Sequence, residues 1–359
     1  MTSAINPEVL NKLLSGGFIP AHPLVLNEDL TINEEFQRRL TRYYISCGVD
    51  GIAIGVHTTQ FEIRDSQFNY YEKVLDITRD EIELANKNDD FIKIAGICGP
   101  LDQAIKEAET AKRLSYDLGL LSMGGLDRLS EKELIERTKA VAKVIPVFGF
   151  YLQPSVGGRI LSYAFWEEFC SIKNVYAIKT APFNRYYTLD VVRAICNSRR
   201  NQEIALYTGN DDNIVNDLIT PYRFKLGEQQ IEKRFVGGLL GHYAVWTKKS
   251  VELFHEIKKG LTNNNLDYNK LLATNIAATD MNSAVFDVAN NFKGSIAGIH
   301  EVLRRQGLLN GTWCLSPKEK LSKGQDLEIS RVIDQYPELV DDDYVEKFIL
   351  SDNHKQYNL

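Results

Sequence analysis

The sequence predicts an α/β chain folded as a (β/α)8 TIM barrel, followed by a C-terminal helical appendage. Three observations point there. Between Gly17 and Leu240, eight short apolar runs of strand character alternate with longer amphipathic stretches, the pattern of a parallel sheet with crossover helices. No Gly-rich phosphate loop follows the first run, since Gly16-Gly17 precede it and His22-Pro23 end it; an open doubly wound sheet would offer one. The length of 359 residues suits one large barrel with an addition.

The expected strands are Gly17 to Leu26, Gly51 to Val56, Phe91 to Cys98, Leu118 to Met123, Ile145 to Leu152, Val175 to Lys179, Ile204 to Thr208 and Phe235 to Leu240. Helical periodicity lies between them over Asn33 to Cys47, Leu101 to Leu114, Glu131 to Val144 and Thr188 to Ser198. From Val251 to Gly307 the pattern turns helical throughout. The domain reading is an N-terminal helical extension over residues 1–16, the barrel over 17–250, a helical region over 251–315 and a charged tail over 316–359. The tail carries Asp341-Asp342-Asp343, and such a charge run is expected on a solvated surface.

Composition narrows the function classes. Forty-two basic residues against 48 acidic ones give a net charge of −6, with no basic block, which argues against nucleic acid. No apolar run reaches the ~18 residues of a membrane helix, and the N-terminus has no signal-peptide pattern. The five cysteines are widely spaced and form no CxxC pair. A reducing, cytoplasmic setting without a disulfide framework or structural zinc is the expectation.

Barrel active sites sit at the C-terminal ends of the strands. Lys179 closes the apolar strand Val175-Tyr176-Ala177-Ile178-Lys179. Alternation puts Ala177 and Lys179 on one face, and the small Ala177 leaves room for the lysine stem. A poorly hydrated amine there would have a lowered pKa, and a neutral amine can attack a carbonyl to form a Schiff base. Tyr151 ends the fifth strand, where a phenol near that nitrogen could shuttle protons. Thr58 and Thr59 offer hydroxyls and N–H groups in the turn after the second strand, suited to a carboxylate.

These segments, taken together, resemble the dihydrodipicolinate synthase and N-acetylneuraminate lyase family of Schiff-base-forming class I aldolases. The stretch His57-Thr58-Thr59-Gln60-Phe61 is similar to the family's Gly-Thr-Thr-Gly-Glu turn. Tyr151-Leu152-Gln153-Pro154 is similar to its Tyr-x-x-Pro motif, Ala177-Ile178-Lys179 to its Gly-Ile-Lys motif, and Thr208-Gly209-Asn210-Asp211 to its Ser-Gly-Asp-Asp motif. The resemblance spans Gly17 to Gly307. It implies a barrel followed by helices, a homo-oligomer (dimer or tetramer), no cofactor, and a lysine imine with a small-molecule 2-oxo acid such as pyruvate. It gives Lys179 the imine, Tyr151 the proton shuttle, Thr58 a place in the relay and Thr59 the carboxylate, with Gly209 and Asn210 binding substrate.

Three departures point to a divergent member rather than a dihydrodipicolinate synthase. The small and acidic members of the family's strand-two turn are replaced by His57, Gln60 and Phe61. The synthases' tyrosine after the fourth strand is replaced by Met123-Gly124-Gly125-Leu126-Asp127. Their arginine after Tyr-x-x-Pro is missing, Arg159 lying three residues beyond its place.

His22, His57 and His242 fall at or just past the ends of the first, second and eighth strands. One reading is a substrate-binding cluster, with Gln60, for a distal and hydroxylated group. A second is a metal site in a barrel hydrolase or lyase, since imidazoles suit zinc. A third is three unrelated loop residues. A non-catalytic metabolite binder stands as a further alternative for the whole chain.

Overall fold

A computed structural model describes residues 5–85 and 87–356. The outer ends of the expected extension and tail, residues 1–4 and 357–359, lie outside the described residues. The chain forms two compact units, neither contiguous in sequence. The first takes Met1–Ile19, Asp50–Ala53 and Asn88–Leu239; the second takes Pro20–Val49, Ile54–Lys87 and Leu240–Leu359.

The first unit carries the sheet. After α1 (Pro7–Ser15), its barrel strands are β1 (Phe18–Pro20), β2 (Gly51–Ile54), β3 (Ile92–Ile97), β4 (Leu118–Ser122), β5 (Val147–Leu152), β6 (Val175–Ala181), β7 (Ala205–Thr208) and β10 (Phe235–Leu240). Their order is β1-β10-β7-β6-β5-β4-β3-β2, an eight-stranded sheet nearly closed into the expected barrel. Asp50 stitches the seam. Its N–H donates to the Phe18 carbonyl at 3.0 Å, and its carboxylate accepts from Phe18 N and Lys12 Nζ, each at 2.9 Å. The strands read as near-continuous apolar runs because a parallel sheet is covered on its helix side and filled inside; every residue of β4 and β5 is buried.

Crossover helices α4 (Leu101–Arg113), α5 (Glu131–Ala142), α6 (Tyr163–Ser171), α7 (Arg185–Asn197) and the short α8 (Ile214–Ile219) complete this unit. Their starts are written in the sequence. Ser130 and Glu133 form a capping box on α5, and Ser162 and Asn184 cap α6 and α7. A hairpin that the sequence reading did not anticipate, β8 (Tyr222–Leu226) and β9 (Gln229–Lys233), precedes β10. Most of its residues are exposed, so it lacks the one-sided apolar alternation that marks a half-buried strand.

The second unit is helical: α2 (Glu34–Cys47), α3 (Tyr71–Leu84), α9 (Thr247–Asn263), α10 (Tyr268–Val285), α11 (Ser295–Arg305), α12 (Gln325–Gln335) and α13 (Asp342–Gln356). The tail is not the wholly solvated surface its charge suggested. Ile329, Val332 and Val345 are buried, and so is Asp341. That carboxylate accepts from Tyr43 Oη at 2.7 Å, from Lys248 N at 2.8 Å and from Gln306 Nε2 at 2.8 Å. One acid of the Asp341–Asp343 run therefore acts as an internal clamp, which charge counting cannot distinguish from its neighbours. No helix among the described residues is long and apolar enough to cross a membrane.

Candidate functional site

The first unit presents an amine. Register partners on neighbouring parallel strands share a face of the sheet, and Lys179 is paired with Phe150 on β5 and Tyr207 on β7. Tyr207 points into the barrel: its ring lies edge-on to Phe148, centroids 5.1 Å apart, and its hydroxyl donates to the Leu13 carbonyl of α1 at 3.0 Å. Lys179 points the same way, as alternation predicted. Its Nζ stands over the Phe150 ring, 4.4 Å from the centroid, a cation–π geometry. Lys179 is 8% exposed. Burial lowers its pKa to about 8, and the neighbouring Asp211 carboxylate pulls it partly back up.

Gly209 makes room for the stem. A Cβ built there would fall 2.5 Å from Lys179 Cε and 2.7 Å from Ala181 Cβ. Of the two residues expected here to bind substrate, Gly209 thus shapes the lysine, and Asn210 is committed to the framework. Asn210 is fully buried; its Oδ1 accepts from Phe183 N at 3.1 Å and its Nδ2 donates to Asp217 at 2.9 Å.

Asp217, which the sequence reading did not single out, organises this loop. It is fully buried and accepts from Thr208 Oγ1 at 2.6 Å, Asn213 Nδ2 at 3.3 Å, Tyr222 Oη at 3.4 Å and the Arg185 guanidinium. Its spacing from Thr208 and Asn213 is the signal that could have found it, since Asn213 N-caps α8 one turn before Asp217. Replacing Asp217 with alanine should cost about 3 kcal/mol, because four neutral donors lose a buried acceptor and Arg185 loses its counter-charge. Denaturant unfolding of wild type and Asp217→Ala measures it.

The register pairs Phe150 with Lys179, and Tyr151 with Thr180. A Cβ at Gly149 would stand 2.6 Å from Phe169 of α6, so that face of β5 looks at the helices, and Tyr151 shares it. The Tyr151 ring lies 5.1 Å from Trp166 and 6.3 Å from Tyr187, and its oxygen accepts from Leu161 N at 3.3 Å. Burial pushes the phenol up to about 12, against a smaller opposing pull from that N–H. The residue beside the amine is Phe150, one position earlier, and a phenyl ring carries no proton to transfer. A proton shuttle is worth about a hundredfold or more in rate, so Tyr151→Phe should change imine formation with pyruvate by less than about threefold, measured by borohydride trapping. Arg159 is also occupied: its Nη1 donates to the carbonyls of Leu126 and Leu129 at 3.0 and 2.8 Å, tying down the loop after β4.

The second unit holds the remaining expected residues, and their polar groups are largely spent on the framework. Thr58 Oγ1 donates to the Ala21 carbonyl at 2.8 Å and Thr59 Oγ1 to that of His22 at 2.7 Å, while Thr59 Oγ1 also accepts from Gly55 N at 2.9 Å. His22 is fully buried, with Nδ1 on the Pro23 carbonyl at 2.7 Å and Nε2 on Thr41 Oγ1 at 2.9 Å. His242 meets Asn282 Oδ1 at 2.7 Å and Ser250 Oγ at 3.3 Å. Burial lowers both imidazoles to about 4, so both are neutral at pH 7. His57 is half-buried and packs toward Phe61, centroids 5.9 Å apart. With both nitrogens of His22 and of His242 engaged, the zinc reading loses two of its three imidazoles. Among the described residues no three His, Cys, Asp or Glu side chains stand close enough to hold a metal.

Gln60 differs from these. It adopts φ 70°, ψ 126°, a conformation that costs a side chain ~1–3 kcal/mol. Its Oε1 accepts from Leu315 N at 2.6 Å, and its buried Nε2 has no partner among the described residues.

The fold is shared with solved enzymes at low sequence identity. N-acetylneuraminate lyase from Fusobacterium nucleatum, complexed with pyruvate, superposes with TM-score 0.68 at 18% identity, over 90% of this chain and 98% of that one. CdNal from Clostridium difficile, in complex with mannosamine, gives 0.69 at 17% over 89% and 99%. Dihydrodipicolinate synthase from Oceanobacillus iheyensis gives 0.71 at 15% over 92% and 99%. No curated protein matches the chain. The profile of the dihydrodipicolinate synthetase family matches residues 14–336, and the chain belongs to that family.

Proposed function

We propose that this protein is a class I aldolase-type lyase that joins Lys179 to a 2-oxo acid as a Schiff base and makes or breaks a carbon–carbon bond next to it. The observation that carries the reading is the lysine itself: an amine at the end of a barrel strand, pointing inward, with a glycine cleared for its stem and a pKa near 8. At pH 7 roughly a tenth of such an amine is neutral, against about one part in a few thousand for an ordinary lysine. Only the neutral amine attacks a carbonyl. The family consists of lyases and synthases. Its Fusobacterium nucleatum relative holds pyruvate and the Clostridium difficile relative mannosamine, which supports a short oxo acid carrying a hydroxylated remainder.

The C4 hydroxyl gives up its proton and becomes an aldehyde carbonyl as the C3–C4 bond breaks; the iminium nitrogen takes up that bond's electrons, the aldehyde leaves, and the resulting enamine takes a proton at C3. Water then releases the oxo acid and restores the lysine. Burial of the amine favours its uncharged, nucleophilic form.

Incubation with pyruvate and borohydride, followed by peptide mass analysis, tests the reading. The expected product is a reduced pyruvate adduct on Lys179, with trapping that rises through pH 8. If pyruvate and a panel of sugar-derived oxo acids leave Lys179 unmodified, the reading fails.

A further inference from the structure

A lysine imine is protonated and therefore a cation, and a buried site must supply the stabilisation that water gives a cation in solution. One ring is already placed to do so. Lys179 and Phe150 are register partners on the adjacent strands β6 and β5, so both side chains leave the sheet on its inward side. The Lys179 Nζ stands 4.4 Å from the centroid of the Phe150 ring, inside the ~6 Å over which the negative face of an aromatic ring attracts a cation. On the opposite flank, toward β7, Gly209 hems in the lysine stem: a Cβ there would fall 3.0 Å from its Cγ and 2.5 Å from its Cε. Both Phe150 and Lys179 are buried. We propose that Phe150 is a catalytic residue, the face of its ring holding the positive charge of the imine that Lys179 forms with the oxo acid. The inference rests on the Schiff-base reading and assigns the stabilising group in one of its steps.

The step keeps its charge on one atom. The Lys179 ammonium and a 2-oxo acid give an iminium and one water. A C–N bond to C2 forms, the bond from C2 to its oxygen breaks, and that oxygen leaves with two protons that began on the nitrogen. No proton is gained or lost, and the nitrogen is positive before and after. The two cations differ in what they ask of their surroundings. An ammonium carries three N–H donors and is short of acceptors beside a hydrocarbon ring. An iminium carries one, spreads its charge onto C2 and is planar, a shape that stacks flat on an aromatic face. The ring therefore satisfies more of the iminium's needs than of the ammonium's.

The neighbouring polar groups of the same row of the sheet are committed elsewhere. Tyr207, the register partner of Lys179 on β7, turns its hydroxyl to the Leu13 carbonyl. Ser122, the register partner of Phe150 on β4, accepts from Gly124 N at 3.1 Å through its Oγ. The Asp211 carboxylate raises the pKa of the amine through its field. It is kept in every variant tested, so a difference between variants reports the ring.

The test replaces Phe150 by phenylalanines bearing one, two and three ring fluorines, which nearly keep the shape of the ring while draining its negative face step by step. Phe150→Leu, apolar without a π face, completes the series. The readout is the rate of pyruvate-dependent cyanoborohydride trapping on Lys179 at limiting pyruvate, followed against pH. On the plateau above the midpoint, trapping should fall with each added fluorine, by about fivefold or more across the series. The midpoint should move down in step, because the ammonium loses the ring as well. Phe150→Leu should show both losses in full; the fluorinated rings carry the test if that variant does not fold. A ring that serves only as an apolar wall would leave plateau and midpoint at their wild-type values in all three fluorinated proteins, and that result would overturn the inference, as would wild-type trapping by Phe150→Leu. No adduct on Lys179 in wild type would sink the Schiff-base reading itself, and the inference with it.

Discussion

Lys179→Met is expected to abolish the pyruvate adduct and to lower carbon–carbon lyase activity by at least about a thousandfold, since no other nucleophile replaces a covalent one. It should also make the protein more stable. The folded state holds this amine with a pKa near 8, below the ~10.4 of an unfolded lysine. Below pH 8 the lysine is protonated in both states, and the folded state bears the full cost of a buried charge. As pH rises from about 8 to about 10.4 the folded lysine sheds its proton first, and the cost declines. The variant should therefore exceed wild type by roughly 1–3 kcal/mol at pH 7, and the gap should narrow toward pH 10. Denaturant unfolding at several pH values reads both the sign and the window. A destabilised Lys179→Met, or a gap that widens as pH rises, would show that the amine is not held under strain. Gaining stability while losing chemistry is the signature expected of a functional buried charge.

Gly209→Ala is expected to damage chemistry far more than folding. The added Cβ would lie 2.5 Å from Lys179 Cε, the movable end of a flexible chain, and 2.7 Å from Ala181 Cβ, which is fixed to its strand. The lysine yields, so the unfolding free energy should fall by no more than about 1–2 kcal/mol. The amine is then displaced by about an ångström, and misplacement of that size costs about a hundredfold in rate. Trapping should slow by that factor while the circular dichroism spectrum stays unchanged. A Gly209→Ala enzyme that forms the adduct at the wild-type rate would mean that Lys179 does not cross this glycine in solution.

The alternation of apolar runs and amphipathic stretches was enough to read the barrel, the order of its strands and the inward side of Lys179. These depend on local periodicity, which any stretch of chain carries within itself. The family's motif residues were also legible, being contiguous in sequence. What the motif does not carry is register. The strand face that Tyr151 occupies depends on pairing against β6, where Phe150 is the register partner of Lys179 and Tyr151 that of Thr180. A shift of one residue reverses every side chain of a strand, and nothing local to Tyr151-Leu152-Gln153-Pro154 states that register.

The same holds for the hydrogen-bonded groups. His22, His242 and Thr59 have the residue types of a binding site, and sequence cannot tell an imidazole that waits for a ligand from one already bonded to Thr41 or Asn282. Asp341 and Asp217 carry the charge of surface residues but are buried acceptors. Sequence by itself determined the architecture and the inward lysine near the end of an apolar strand, because apolar period is a local fact. Tertiary structure alone decided which groups surround that lysine, because burial, register and hydrogen-bond partnership are relations between residues far apart in the chain.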